Sequence, residues 1–422
     1  VFESAFGKCT GLNGNQGFTV KYWNNLTREG EPAVVQDLTS PWQLCTSGAT
    51  VFAPGVNLKD FSAQYVATYH ADKDQEIILD GFICGQGVYL VNGDTVQVFR
   101  TGHGPRPFSA TIQVEAGKDY NIQIDWSYII DDAQFNFDLG AMATLDLEKL
   151  VAETSDANVY VYVGGISPKL EGEEMKVPYE GFKGGDRTNI QLPRVQRETL
   201  KRLSKTGKPV VFVCMSGSAI GLAPEVESCD AILQAWYGGQ QGGQAVADVL
   251  SGAYNPAGRL PITFYRDCNE LPDFGNYDMK GHTYRYYEGD PVFAFGEGMS
   301  YSKFDYQQAI LRATSKVVDY NYEGTAYKLI VKVKNVSNRD GEEVVQVYLK
   351  REGDTEGPLR SLRGFKRVMI KAGETVDVEV PIEDMRTYNP NTCKMEFIHD
   401  TYTIYYGSSS REKDLHHMTV KM

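Results

Sequence analysis

The hydrophobic period changes twice along this 422-residue chain, and few architectures tolerate such changes. From about Gly17 to Leu139, apolar and polar residues alternate with period two. Examples are "GFTVKYW", "GVYLVNGDTVQVF" and "SATIQVEAGKDYNIQIDW", separated by Gly, Asn and Asp. That pattern predicts an all-β sandwich. From about Leu145 to Phe264 the period becomes helical between short apolar runs. "LDLEKLVAETSD" is amphipathic. "NVYVYVGG" and "KPVVFVCM" read as buried strands, with "CDAILQAWYGG" a third. "LPRVQRETLKRLSKTG" starts a helix near Pro193 and stops at Gly207, and "GQAVADVLSG" is a further helix. Strands and helices in this alternation predict a parallel α/β sheet, whose functional surface lies beyond the carboxyl ends of the strands. From about Phe304 the alternation of two returns, in "YKLIVKVKNVS", "EEVVQVYLKR" and "DTYTIYYGSS". A second sandwich, immunoglobulin- or fibronectin-like, is expected there. Residues 265–303, dense in Tyr, Phe, Gly and Pro, read as a packed strap between domains.

Composition excludes several classes. The net charge is −13 and Lys and Arg are nowhere clustered, which argues against nucleic acid as a partner. No run of about 18 apolar residues occurs, so no membrane-spanning helix is expected. The seven Cys are scattered and never spaced C-x-x-C, and the six His show no ligand spacing; no metal and no cofactor is expected. Neither a phosphate-loop glycine pattern nor G-x-S-x-G is present, so "SGSAI" after the second apolar strand reads as a turn.

The segments "GGDRTNIQLPRVQ", "GKPVVFV", "AWYGGQQGGQAVADVLSGAYNPAGRLPITFY", "TYRYYEG" and "FAFGEGMSY" follow one another in order. Together they resemble the second domain of glycoside hydrolase family 3. The last third resembles the fibronectin type III-like domain that ends many members. The first β region, through "VKYWNN", "VYLVNGD" and "VEAGKDYNIQIDW", resembles the protective-antigen-type sandwich inserted in some of them. The resemblance implies an α/β sandwich domain at 1–13 and 143–303, interrupted by an inserted β-sandwich at 14–142, and a fibronectin-like domain at 304–422. On this reading "VFESAFGKCT" is a strand of the α/β domain. The amino-terminal (β/α)8 barrel of the family, bearer of an Asp nucleophile, is absent from this chain, since the α/β stretch is too short for eight units. The chain then looks like the carboxyl-terminal part of a longer enzyme.

The resemblance also gives a role to an acidic segment, "LEGEEMKVPYEGFKGGDR", beyond the first apolar strand. Retaining glycosidases use two carboxyl groups, one as nucleophile and one as acid/base. In the family the acid/base often arises from a loop at this place. Glu173 is favoured, because Gly-Glu ahead of "GGDR" matches the family arrangement, with Glu171 and Glu174 as alternatives. A general acid must hold its proton at working pH, and a cluster of like charges favours that state. Arg187 either orients the acid loop or a substrate hydroxyl, or forms a structural ion pair with Asp186. Trp236 and Tyr237 are a sugar-stacking wall or core packing. In the first sandwich Trp23, Trp42, Tyr89 and Trp126 are the aromatics most able to stack on a sugar.

The implied activity is that of a retaining exo-β-glycosidase acting on terminal non-reducing β-D-glucosyl or β-D-xylosyl residues of plant-type oligosaccharides. Its partners are the oligosaccharide and the barrel domain of the same enzyme, and its location is periplasmic or secreted. The alternative is a non-catalytic carbohydrate-binding or scaffold protein built from the same domains.

Overall fold

The computed structural model describes residues 2–41, 51–128, 133–171, 179–184, 186–319, 322–382, 384–389 and 391–422. The chain divides into two compact units, Val1–Asp146 and Leu147–Met422.

The first unit is built from strands β1 (Phe2–Ser4), β2 (Cys9–Thr10), β3 (Phe18–Trp23), β4 (Val34–Leu38), β5 (Ser62–His70), β6 (Gln75–Val91), β7 (Asp94–Val114), β8 (Asp119–Ser127) and β9 (Phe135–Met142). Their order is β1-β9-β6-β8-β5-β3-β4, with β2 beside β5 and β7 beside β6. Period-two alternation does what it should. In β5, Ala63, Tyr65, Ala67 and Tyr69 are buried while the residues between them face outward. β6 pairs with β9 through Ile78–Ile83 and with β8 through Gln86–Val91, so the sheet folds over along this one long strand. The bend falls at Gly85, where φ is +117° and the ladder with β7 shifts register. A Cβ at Gly85 would stand 2.4 Å from the Ser127 carbonyl oxygen. The core is aromatic. Trp126 is fully buried among Phe52, Phe61 and Phe135, and its Nε1 donates to the Cys84 carbonyl at 3.0 Å.

Two expectations change here. Residues 2–10 do not join the α/β sheet. β1 runs antiparallel to β9, pairing Phe2 with Met142, β2 pairs with β5, and Phe6 and Cys9 enter the sandwich core. Trp126 and Tyr89 are fully buried and Trp23 nearly so, which removes them from any sugar-stacking surface. Trp42 lies outside the described residues.

In the second unit, α1 (Leu147–Glu153) leads into β10 (Tyr160–Gly165) and the short α2 (Pro168–Glu171). A hairpin of β11 (Phe182–Lys183) and β12 (Asp186–Arg187) precedes α3 (Arg194–Ser204). Then come β13 (Val210–Met215), α4 (Ala223–Ser228), β14 (Ala231–Gln234) and α5 (Gly242–Ser251). β10, β13 and β14 form a parallel sheet in that order. Tyr160, Tyr162, Val210, Phe212, Cys214 and Ile232 share one face and pack with Leu200 and Leu203 of α3. Val161 and Val163 on the other face of β10 are 47% and 59% exposed, so the run that reads as buried on both faces is covered on one. Pro193 precedes α3, where its missing N–H costs nothing, and the turn after it closes at Gly207 with φ +77°.

The strap holds the one-turn helix α6 (Thr283–Tyr286). Tyr284 stacks on Phe295 at 4.1 Å and accepts from the Leu362 N–H. Arg411 is held by Asp290, Glu297 and the carbonyls of Pro291 and Val292. Beyond it lie β15 (Phe304–Asp319), β16 (Tyr322–Asn335), β17 (Gly341–Arg351), β18 (Ser361–Ile370), β19 (Thr375–Ile382), β20 (Thr387–Asn389), β21 (Lys394–Glu396), β22 (Thr401–Gly407) and β23 (Leu415–Lys421). Sheets β15-β16-β19 and β18-β17-β22-β23 enclose a core of Leu329, Val331, Val333, Val345, Val347, Val380, Tyr402 and Ile404.

Candidate active site

The carboxyl ends of β10, β13 and β14 converge on one group of side chains. β10 runs into Gly165, whose φ of +132° and close backbone neighbour admit only glycine: a Cβ would stand 1.8 Å from the Met215 carbonyl oxygen. The next residue, Ile166, bonds through its N–H to Met215 at 2.9 Å, and α2 then delivers Glu171. From the end of β13, Ser216 is buried and donates to the Ser218 carbonyl at 2.8 Å while accepting from Gln234 Nε2 at 3.0 Å. That closes a tight turn carrying Gly217 and Ser218. From the end of β14, Trp236 adopts φ +54° and turns the following side chain, Tyr237, toward Glu171.

Glu171 is held at both oxygens. Ser218 Oγ donates to Oε1 at 2.9 Å, and the Tyr237 hydroxyl lies 3.0 Å from Oε2. Tyr237 also reaches the Ile166 carbonyl. Gly217 leaves room for this closure: a Cβ there would meet Tyr237 Cε2 at 2.8 Å and Glu171 Oε2 at 3.0 Å. Arg187, at the end of β12, points into the same group. Its Nη1 donates to Ser218 Oγ and the Ala219 carbonyl, both at 3.4 Å, and Nε donates to the Asn189 carbonyl at 3.2 Å. Its Nη2 donates to the Gln191 carbonyl at 3.5 Å.

The electrostatics follow from this placement. Burial draws the Arg187 guanidinium below its ordinary value, and the Glu171 carboxylate opposes that effect. Burial, reinforced by Glu171, pushes the Tyr237 hydroxyl up to about 12, so it keeps its proton at neutral pH. Among the described residues Arg187 makes no ion pair. The cation is instead lodged among carbonyls and one hydroxyl, and Asp186 beside it is exposed.

Three residues picked from sequence therefore meet: Glu171, Arg187 and Tyr237. Trp236 does not join them. It packs on Phe264, ring centroids 6.2 Å apart, as part of the α/β core. Glu173 and Glu174 lie outside the described residues. Ser218 and Gly217 are additions; the sequence signal for them was their position just past a buried parallel strand, where α/β sheets place functional groups. Among the described residues no group of three or more His, Cys, Asp or Glu could hold a metal ion. No described helix is long and apolar enough to cross a membrane.

Residues 32–301 match the glycosyl hydrolase family 3 C-terminal domain, and residues 343–410 match the fibronectin type III-like domain. The first match covers more than half of the chain, and the chain belongs to glycosyl hydrolase family 3. Among curated relatives, a xylan 1,4-beta-xylosidase of Xylanibacter ruminicola is 40% identical over 98% of this chain and 47% of that protein. A periplasmic beta-glucosidase of Salmonella typhimurium is 33% identical over 58% of this chain and 32% of its own length. Among solved structures, the beta-glucosidase from Kluyveromyces marxianus overlays all of this chain and 52% of its own, with TM-score 0.67 and 21% identity. A beta-glucosidase from Erythrobacter marinus overlays 65% of this chain and 36% of its own, with TM-score 0.53 and 29% identity. The chain thus spans about half, or less, of the length of these relatives.

Proposed function

We propose that this chain is the carboxyl-terminal part of a retaining exo-β-glycosidase and supplies its acid/base. The substrates would be oligosaccharides of plant type, cleaved at terminal non-reducing β-D-xylosyl or β-D-glucosyl residues. The similarity to a xylan 1,4-beta-xylosidase along nearly the whole chain favours the xylosyl side. The observation that carries the reading is the Glu171 carboxyl, gripped by Ser218 and Tyr237 at the carboxyl end of the parallel sheet. A (β/α)8 barrel of the same enzyme is the partner and brings an Asp nucleophile. In the first half-reaction the acid's proton passes to the glycosidic oxygen as its bond to the anomeric carbon breaks and the Asp carboxylate bonds to that carbon. In the second, the same carboxylate takes a proton from water, whose oxygen displaces the Asp. Glu173 is the second reading, supported by its Gly-Glu setting ahead of "GGDR". A periplasmic or secreted location accords with the periplasmic beta-glucosidase relative.

In the intact enzyme, Glu171→Ala should slow substrates with poor leaving groups about 10²-fold or more while activated aryl glycosides are slowed far less. Added azide should restore part of the rate. The same behaviour in Glu173→Ala, with Glu171→Ala active, would transfer the role to Glu173. Turnover of aryl β-xylosides by this chain alone would contradict an active site shared with a barrel.

A further inference from the structure

The Tyr237 hydroxyl lies within reach of two acceptors, the Ile166 carbonyl and Glu171 Oε2. It has one proton to give and lone pairs with which to accept. It can therefore donate to only one of the two at a time. An acid/base carboxyl alternates between a form that donates and a form that only accepts, and few neighbours suit both. Tyr237 does. When Glu171 is protonated, its O–H can donate to Tyr237 Oη until the glycosidic oxygen takes over that hydrogen bond, while Tyr237 donates to the Ile166 carbonyl. When Glu171 has given its proton to the leaving group, Tyr237 can turn its own proton to Oε2. The contact survives with one rotation about the C–O bond and no movement of heavy atoms.

The second oxygen is fixed by a different route. Ser218 Oγ donates to Oε1 at 2.9 Å and receives from Arg187 Nη1 at 3.4 Å, so the half-buried cation is linked to the carboxyl through the serine. Among the described residues, the charged and titratable groups gathered here are Glu171, Arg187, Tyr237 and Cys268. The backbone also bears on the arrangement. Trp236 sits at φ +54°, a conformation that is unfavourable for a bulky residue and persists only where its surroundings demand it. Its ring is anchored on Phe264, and the turn it makes is what aims Tyr237.

Resting on the reading of Glu171 as acid/base, the geometry points to Tyr237 as a positioning residue that holds this carboxyl in one orientation through both of its protonation states, with Ser218 and Arg187 fixing the other oxygen. This gives Tyr237, read from sequence as a sugar-stacking wall or core packing, a part in supporting the proton donor instead. The test compares methyl and 2,4-dinitrophenyl β-xylosides (or the glucosides, whichever the intact enzyme turns over). Variants are Tyr237→Phe, Ser218→Ala, Ser218→Thr and Glu171→Gln. Tyr237→Phe should lower kcat on the methyl glycoside about 10- to 100-fold, with KM changed less than about threefold, and lower it clearly less on the dinitrophenyl glycoside. Ser218→Thr, which keeps the hydroxyl, should recover most of what Ser218→Ala loses. Equal losses on both substrates, or a raised KM with kcat kept, would overturn the positioning role. If Glu171→Gln is slow on the methyl glycoside and Tyr237→Phe is not, the inference fails alone. If Glu171→Gln itself is unimpaired, the acid/base reading fails and takes the inference with it.

Discussion

Arg259 and Glu343 form an ion pair of 2.8 Å whose side chains are only 8% and 4% exposed. Arg259 belongs to the segment "GRLPITFY" that leaves the α/β sheet, and Glu343 stands on β17 of the fibronectin-like domain, so the pair joins the two. Glu343 Oε1 also accepts from the Tyr306 hydroxyl at 3.1 Å and the Val344 N–H at 2.9 Å. Burial and the Glu343 charge push the Tyr306 hydroxyl well above its ordinary value, so it remains a donor. Glu343→Leu would leave the Arg259 cation buried without its partner. Removing one member of such a pair costs about 3–5 kcal/mol, much of it the uncompensated charge. For a unit the size of Leu147–Met422 that corresponds to a fall in melting temperature of roughly 5–9 °C. Arg259→Met should cost a similar amount. The double variant should regain most of the loss, because a well-packed apolar pair is often as stable as the ion pair it replaces. Calorimetry of the three variants at one scan rate tests this. Single variants that melt within about 1 °C of the parent would show that the pair is worth no more than an exposed one and refute the reasoning.

Two further outcomes concern single sites. Trp126→Phe removes the donor to the Cys84 carbonyl and shrinks a side chain packed on all sides, and should cost the first unit about 2–4 kcal/mol, read as an earlier urea midpoint by far-ultraviolet circular dichroism. The Asp400 carboxylate is held below its ordinary 3.8, first by the Thr401 N–H and also by Arg351 and the Gly353 N–H. A lowered carboxylate contributes stability that is fully present above the unfolded value and lost as pH falls through the folded one. The wild type and Asp400→Asn should therefore differ by a constant amount above about pH 5 and converge below pH 4; a gap that widens on acidification would contradict the assignment.

Much of the fold was legible because side-chain period is a local property. "SAQYVATYH" alternates and forms a half-buried strand; "RVQRETLKRLS" repeats every three to four residues and forms a helix with Thr199, Leu200 and Leu203 inward. The place of the first ten residues was not legible, because "FES" has no period to speak of and its partner, β9, lies more than 130 residues away. Likewise one face of "YVYVGG" is buried and the other is not, and nothing in the run distinguishes the two.

The site shows the same division. Residue types and their position after an apolar strand were enough, with the family resemblance, to single out the acidic loop, Arg187 and the Trp236-Tyr237 pair. Sequence and the resemblance thus singled out the residues for the proposed chemistry and roughly where they lie. Only the tertiary structure decided that Tyr237 grips Glu171 while Trp236 turns into the core, and that Ser218 relays Arg187 to the same carboxyl. The reason is physical. Adjacent residues can be sent in opposite directions by one positive φ, and three strand ends far apart in sequence meet only after the parallel sheet has formed.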